Sequence, residues 1–242
     1  MTPEQESWLR GRVGIVTGSS RGIGRSTAIA LAAQGVHVVL ASRGKAALAG
    51  VEAEIREDGN LATAVLCDVS DSGSVDALFE AAAAIGPVSV LVCSAGVTVK
   101  APFDELTAEQ WQRSVGVNLT GTFLCCQRAF SSMKQQGGGR IVTIASLSGV
   151  YATEKFPGLA AYNASKYAVV GVTEALAVEG KPHGISAICI SPGAVDTEML
   201  RQAAPHLRPG LGPDDVGRMI TGLLGLDLLP ASGANLPLFS NL

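Results

Sequence analysis

Val13-Gly14-Ile15-Val16-Thr17-Gly18-Ser19-Ser20-Arg21-Gly22-Ile23-Gly24 is the stretch that decides the fold. Its opening residues form a short, nearly continuous apolar run, as a strand covered on both faces should. A glycine loop follows, and from Ile23 a helical pattern runs to Gln34. A glycine triplet alone is weak, but strand, glycine loop and helix in this order mark a nucleotide site. Gly18 allows a tight turn, Gly22 lets backbone approach a pyrophosphate, and Gly24 permits close packing of helix on strand. Ser20, Arg21 and Ile23 complete the loop, and the free N–H groups of the helix start face the phosphates. The spacing is G-x-x-x-G-x-G rather than G-x-G-x-x-G.

Working outward, apolar runs recur at Val36–Leu40, Ala62–Leu66, Val88–Val92, Ile141–Ile144 and Ile185–Ile190. Helical patterns lie between them at Lys45–Glu57, Asp71–Ala84, Ala108–Gln135 and Ala161–Glu179. This alternation predicts an α/β fold: a Rossmann-type, doubly wound parallel sheet of about seven strands with helices on both faces. A seventh strand is expected at Asn235–Phe239, confined to an edge by Pro237. With no linker or repeat, residues 1–242 read as one dinucleotide-binding and catalytic domain. Thr197–Pro213 carries Pro205, Pro209, Gly210, Gly212 and Pro213. It reads as a broken, mobile stretch beyond a strand's carboxyl end, where ligands bind, and hence as a substrate lid.

Composition excludes several classes. The formal charge is −3, which gives no basic face for nucleic acid. No apolar stretch reaches the length of about eighteen residues that a membrane span needs. Met1–Glu6 is acidic and lacks the apolar segment of a signal peptide, so a cytoplasmic location is expected. The five cysteines form no metal-ligand spacing and read as buried small hydrophobes, and no metal is expected. His37 sits inside an apolar run and reads as structural.

The end of the second strand, Leu40-Ala41-Ser42-Arg43, should reach an adenosine ribose. An acidic residue there binds the 2′-hydroxyl of NAD and repels a 2′-phosphate. Here Ser42 and Arg43 take that place, with Arg21 nearby in the glycine loop. Two arginines favour NADP(H), while NAD(H) stays open as the alternative.

Tyr162 and Lys166 stand four residues apart, with Ser146 upstream. Residues at i and i+4 share one helix face, so the Lys166 ammonium can lie beside the Tyr162 phenol. A phenol ordinarily loses its proton near pH 10, and a neighbouring cation lowers that value. Such a tyrosine can exchange a proton with a substrate oxygen near neutral pH. Tyr151 and Lys155 repeat the spacing, but Phe156-Pro157-Gly158 would stop a helix carrying them. Tyr162 is therefore the expected catalytic residue, and Ser148, Tyr151 and Met199 are candidates for the substrate pocket.

Thr17–Gly24, Asp68-Val69, Ala95-Gly96, Asn118, Ser146, Tyr162–Lys166 and Pro192-Gly193 through Thr197 appear in the order of the short-chain dehydrogenase/reductase family, which the chain strongly resembles. Within it the chain looks similar to 3-oxoacyl-carrier-protein reductases. The resemblance implies that Tyr162 is the general acid, Ser146 a ligand of the substrate oxygen, and Asn118 the holder of a water linking Lys166 to solvent. It implies that Lys166 lowers the phenol's pKa and binds the nicotinamide ribose. Asp68 and Val69 would contact the adenine, and Val195 and Thr197 the nicotinamide carboxamide. The partner implied is a small carbonyl or alcohol substrate, and the assembly a homodimer or homotetramer through the Ala108–Gln135 and Ala161–Glu179 helices.

Three departures stand out. Cys93-Ser94 replaces the family's Asn-Asn, the interval from Ser146 to Tyr162 is slightly long, and the Gly-rich ending is missing. A sugar-nucleotide epimerase of the extended relatives is disfavoured by chain length and glycine spacing. A cofactor-binding sensor or scaffold is disfavoured because Asn118, Ser146, Tyr162 and Lys166 are all present.

Overall fold

The computed structural model describes residues 8–240. All the expected runs become strands: β1 (Val13–Thr17), β2 (His37–Ser42), β3 (Ala62–Leu66), β4 (Val88–Cys93), β5 (Gly139–Ile144), β6 (Ile185–Pro192) and β7 (Asn235–Leu238). They form one sheet in the order β3-β2-β1-β4-β5-β6-β7, with every pairing parallel. β7 lies at the edge, as Pro237 requires. Strand order reverses at β1, which pairs with both β2 and β4, so the loops leaving β1 and β4 diverge to opposite sides and open a crevice.

Helices cover both faces. α1 (Gly22–Ala33), α2 (Lys45–Glu57) and α3 (Ser72–Ala83) follow the first three strands. α4 (Ala108–Val115), α5 (Gly121–Gln136) and α6 (Ala160–Gly180) follow, then α7 (Glu198–Ala203) and α8 (Pro213–Gly225). Successive strand residues point to opposite faces, and the core divides accordingly. Val16, Leu40, Val92, Val142 and Ile188 pack with Leu31, Leu48, Ile55 and Ile220 of α1, α2 and α8. Ile15, Val39, Leu91 and Ile141 pack with Leu78 and Met133 of α3 and α5. Each such large side chain, fully buried, contributes about 1.5–3 kcal/mol.

Three elements differ from expectation. The uninterrupted Ala108–Gln135 helix is instead α4 and α5 joined by a π-turn at Gly116–Thr120. That turn carries Asn118, whose side chain is held by the backbone of Val97, and a π-turn accommodates the residue that this contact draws inward. Thr197–Pro213 is better pinned than a mobile loop. Thr197 caps α7 by accepting from Leu200 N, Asp196 N donates to Leu211 O at 3.0 Å, and Gly210 N donates to Ser240 O at 2.7 Å. α8 was not expected, because Gly217, Gly222 and Gly225 dilute its apolar stripe.

All five cysteines are buried free thiols, and His37 Nε2 meets Thr63 Oγ1 at 2.9 Å, as expected of structural residues. Trp111, Phe123, Tyr167 and Val178 stay partly exposed on α4, α5 and α6. Among the described residues no helix is long and apolar enough to cross a membrane.

Two glycines of α8 should respond oppositely to alanine. A Cβ on Gly217 would lie 2.7 Å from the Ser26 carbonyl carbon on α1, whereas one on Gly222 meets nothing within 4 Å. Gly217→Ala should cost about 1–3 kcal/mol of stability. Gly222→Ala should gain about 0.5–1 kcal/mol. Urea denaturation of both variants checks this, and equal effects would contradict the packing of α8 on α1.

Candidate active site

The carboxyl ends of the strands open onto a cleft of about 1040 Å³. Gly18, Ser20, Arg21, Gly22, Ile23, Gly24, Ser42, Arg43, Asp68 and Val69 line one end. Ala95, Gly96, Pro192, Gly193, Val195 and Thr197 line its middle, with Ser146, Ser148, Tyr151, Tyr162, Lys166 and Met199 beyond. Asn118 stands behind the wall, fully buried.

At the nucleotide end, Ser19 Oγ accepts from Ala41 N at 2.9 Å and Gly18 N donates to Ala41 O at 2.8 Å, pinning the loop to β2. A Cβ on Gly24 would sit 2.4 Å from Gly18 O, so only glycine lets α1 start this close to β1. Arg21, the residue before α1, gives no side-chain cap, which leaves the first-turn N–H groups turned to the cleft. Ser42 Oγ is buried without a hydrogen-bond partner beside them. An uncapped helix start, a cradle that a Cβ would fill and an orphaned hydroxyl together fit a bound dinucleotide. Arg43 Nη1 lies 3.7 Å from Asp68 Oδ2, and Arg21 pairs with Glu198 of α7 across the cleft. The Glu198 contact was missed from sequence. Its signal was present: Thr197 followed by an acid is a helix-start pattern, which would have placed Glu198 on a helix facing the loop.

At the other end, β5 leads into a tight turn at Leu147–Gly149. A Cβ on Gly149 would lie 2.5 Å from the Lys166 carbonyl carbon, so this glycine lets the turn rest directly on α6. The contact sets Ser146 against Tyr162. Lys166 Nζ donates to Ile144 O at 2.7 Å and lies 5.7 Å from the centre of the Tyr162 ring. Burial lowers the Lys166 pKa to about 8. Burial also raises Tyr162 above its ordinary value, and the Ser146 hydroxyl partly counters this. The expected arrangement has the lysine acidifying the phenol, whereas here desolvation governs both groups. The resulting site holds a protonated phenol and an amine that titrates near neutrality, next to a hydroxyl. It can deliver a proton to an oxygen in the cleft.

Asn118 is committed to protein partners. Its Oδ1 accepts from Val97 N at 2.8 Å, and its Nδ2 donates to Val97 O and Ser165 Oγ, both at 3.0 Å. It ties the loop after β4 to α6 one residue before Lys166. The change to Cys93-Ser94 is met locally, because Thr17 Oγ1 accepts from Ser94 N at 3.1 Å and Ala95 N at 3.2 Å. Among the described residues no cluster suits a metal ion.

The second Tyr-x-x-x-Lys pair is a different object. Tyr151 is 88% exposed at the cleft's mouth. Lys155 Nζ donates to Val150 O at 2.7 Å, Leu147 O at 3.1 Å and Thr153 Oγ1 at 2.6 Å. It is a clamp for the loop, which includes the left-handed Ala152 at φ 58°.

Over residues 12–208 the chain matches the short chain dehydrogenase family. Acetoacetyl-CoA reductase of Rhizobium meliloti is 40% identical over 228 residues, covering 89% of this chain and 92% of that protein. D-threitol dehydrogenase of Mycolicibacterium smegmatis is 38% identical over 196 residues, covering 81% and 74%. A solved 3-oxoacyl (acyl-carrier-protein) reductase of Agrobacterium tumefaciens C58 with NADP bound superposes at a TM-score of 0.87, with 29% identity over 98% of this chain and 96% of that one. The chain belongs to the short-chain dehydrogenase/reductase family. It is an oxidoreductase acting on CH–OH and C=O groups.

The geometry separates the two tyrosines. Tyr162→Phe keeps the ring and removes the phenol that meets Ser146, so turnover should fall by at least about a hundredfold, the scale of a lost general acid. Cofactor affinity, measured by titration, should barely change. Tyr151→Phe should keep most of the activity, and the reverse pattern would overturn the choice of Tyr162.

Proposed function

We propose that the protein is an NADP(H)-dependent carbonyl reductase or alcohol dehydrogenase. Its substrate is a moderately hydrophobic ketone or secondary alcohol, a class that includes 3-oxoacyl thioesters. The observation that carries this reading is the group of Ser146, Tyr162 and the buried Lys166 in a cleft that ends at an uncapped, glycine-rich helix start.

On this reading Tyr162 gives its proton to the carbonyl oxygen during reduction and takes it back in oxidation. Ser146 holds that oxygen in place. Lys166 would bind the nicotinamide ribose hydroxyls, Asp68 and Val69 the adenine, and Val195 and Thr197 the carboxamide. When bound, the nicotinamide supplies or accepts the hydride, while the protein supplies orientation and a proton. Asn118 is a positioning residue, acting through Val97 and Ser165. Residues 197–213 form a lid: Glu198 reaches Arg21 at the nucleotide end, while Met199 and Leu207 line the substrate end. The same wall carries Leu147, Val150, Phe156 and Leu159. Among the described lining residues the cations are Arg21, Arg43 and Lys166, none of them on that apolar wall. A ketone with an apolar body therefore suits the site better than a polyanion.

Arg43 supports NADP(H). Its contact with Asp68 is long and exposed, the kind of ion pair that contributes only about 0–1 kcal/mol. Charge-assisted hydrogen bonds to a 2′-phosphate contribute about 1.5–3 kcal/mol, so the phosphate should win the guanidinium. No acid stands at Ala41 or Ser42 to repel it. The wild type should bind NADPH more tightly than NADH, by roughly tenfold to a hundred-and-fifty-fold. Arg43→Ala should erode the preference, and Ser42→Asp combined with Arg43→Ala should invert it. Fluorescence titration of both cofactors decides, and a wild type that prefers NADH would sink the NADP assignment while leaving the reductase reading intact.

A further inference from the structure

A second cavity lies at the opposite, amino-terminal end of the strands, about 340 Å³ in volume. Its wall includes Trp8, Arg12, Gln136, Arg140, Ser186 and Asp227, and its floor is the glycine run Gly137–Gly139 where α5 passes into β5. A strand of six residues is roughly 20 Å long, so the cavity is a full strand length from the cleft.

Two guanidinium groups are built into this cavity. The Arg12 carbon Cζ lies 4.1 Å from the centre of the Trp8 ring, and that of Arg140 lies 3.5 Å from it. Both arginines are anchored by neutral acceptors. Arg12 Nε donates to Trp8 O, its Nη1 approaches Ser89 Oγ at 3.4 Å, and Arg140 Nη1 donates to Leu224 O at 2.5 Å. These bonds fix the two planes and leave Nη2 of Arg12, and Nε and Nη2 of Arg140, without acceptors among the described residues. Among the described residues no carboxylate lies within 4 Å of either arginine, although seven other arginines have such a partner. Asp227, the one acid on the wall, accepts instead from Leu229 N at 3.1 Å. Burial lowers Arg140 to about 10, against an opposing pull from Asp227, with the Arg12 charge a smaller effect in the same direction as burial.

We propose that the Trp8–Arg12–Arg140 cavity is a second ligand site, specific for a small oxyanion carrying a phosphoryl or carboxylate group. A guanidinium edge offers parallel N–H donors that match the paired oxygens of such a group. Both edges are oriented in advance by the Trp8 ring and the carbonyl anchors, so little side-chain freedom is lost on binding. The site lies outside the cleft and holds none of the residues assigned to redox chemistry, and it does not depend on the choice of substrate or cofactor.

Trp8 supplies its own reporter. The chain has two tryptophans, so Trp111→Phe leaves Trp8 as the only one. In that protein, inorganic phosphate and, separately, acetate are titrated against chloride at constant ionic strength while Trp8 fluorescence is followed. The expected result is a saturable change with phosphate, with acetate, or with both, the pattern telling which oxyanion the site prefers. Arg140→Met should weaken it by about tenfold or more, the scale of one lost charge-assisted contact. Arg140→Lys, which keeps a cation near the Leu224 carbonyl without the fork, should weaken it too and serves if the Met variant fails to fold. Arg43→Ala, at the far end of the sheet, should leave it unchanged. A fluorescence response that is the same for chloride, or that survives both Arg140 variants, overturns the proposal and leaves the arginines as structural props for Trp8.

Discussion

Lys166 has been taken out of water, and much of the site is arranged around that fact. A buried ammonium without partners is costly by several kcal/mol, so its surroundings must compensate. The Ile144 carbonyl at the end of β5 takes one of its protons at 2.7 Å. The residue is held at that spot from two directions. The Leu147–Gly149 turn presses on its backbone through Gly149, and Asn118 on the π-turn grips Ser165 beside it. Tyr162 stands one helical turn earlier on the same face, so fixing Lys166 also fixes the phenol against Ser146.

Much of this was legible in the sequence, for reasons that explain the failures as well. Parallel strands buried on both faces write themselves as continuous apolar runs, so β1 to β6 could be read within a residue or two. The glycine loop was legible because Gly18 and Gly24 answer to backbone contacts that no other residue survives. The π-turn was not, because its cause is the grip of Val97 on Asn118, two segments distant in sequence. α8 escaped because its glycines serve packing on α1 rather than helix propensity. The effect of burial on Tyr162 was not legible either. Spacing places a cation near a phenol, but burial is a tertiary property, and here it raises the phenol and lowers the amine.

The sheet divides its labour by strand polarity. At the carboxyl ends, loops diverge from β1 and β4 and leave a crevice whose walls are backbone N–H groups, small residues and an apolar flank. At the amino ends the chain closes tightly over glycines, with arginines stacked on Trp8. The clamp formed by Lys155 follows the same economy of placement. It satisfies the carbonyls of Leu147 and Val150 inside the loop, which lines the cleft with Leu147, Val150 and Phe156 beside Ser148, Thr153 and Glu154. The exposed Tyr151 then sits at the entrance, where a side chain can touch what enters without sharing in proton transfer.

The dependence of the site on a desolvated lysine is open to direct titration. The chain has six lysines, few enough for their side-chain carbon resonances to be followed by NMR, with Lys166→Met identifying the signal of interest. The account predicts that the Lys166 signal titrates with a midpoint near 8, because burial disfavours its charged form. A midpoint near the ordinary lysine value of about 10.4 would contradict it, since the ammonium would then be solvated and could not be the group that organises the site.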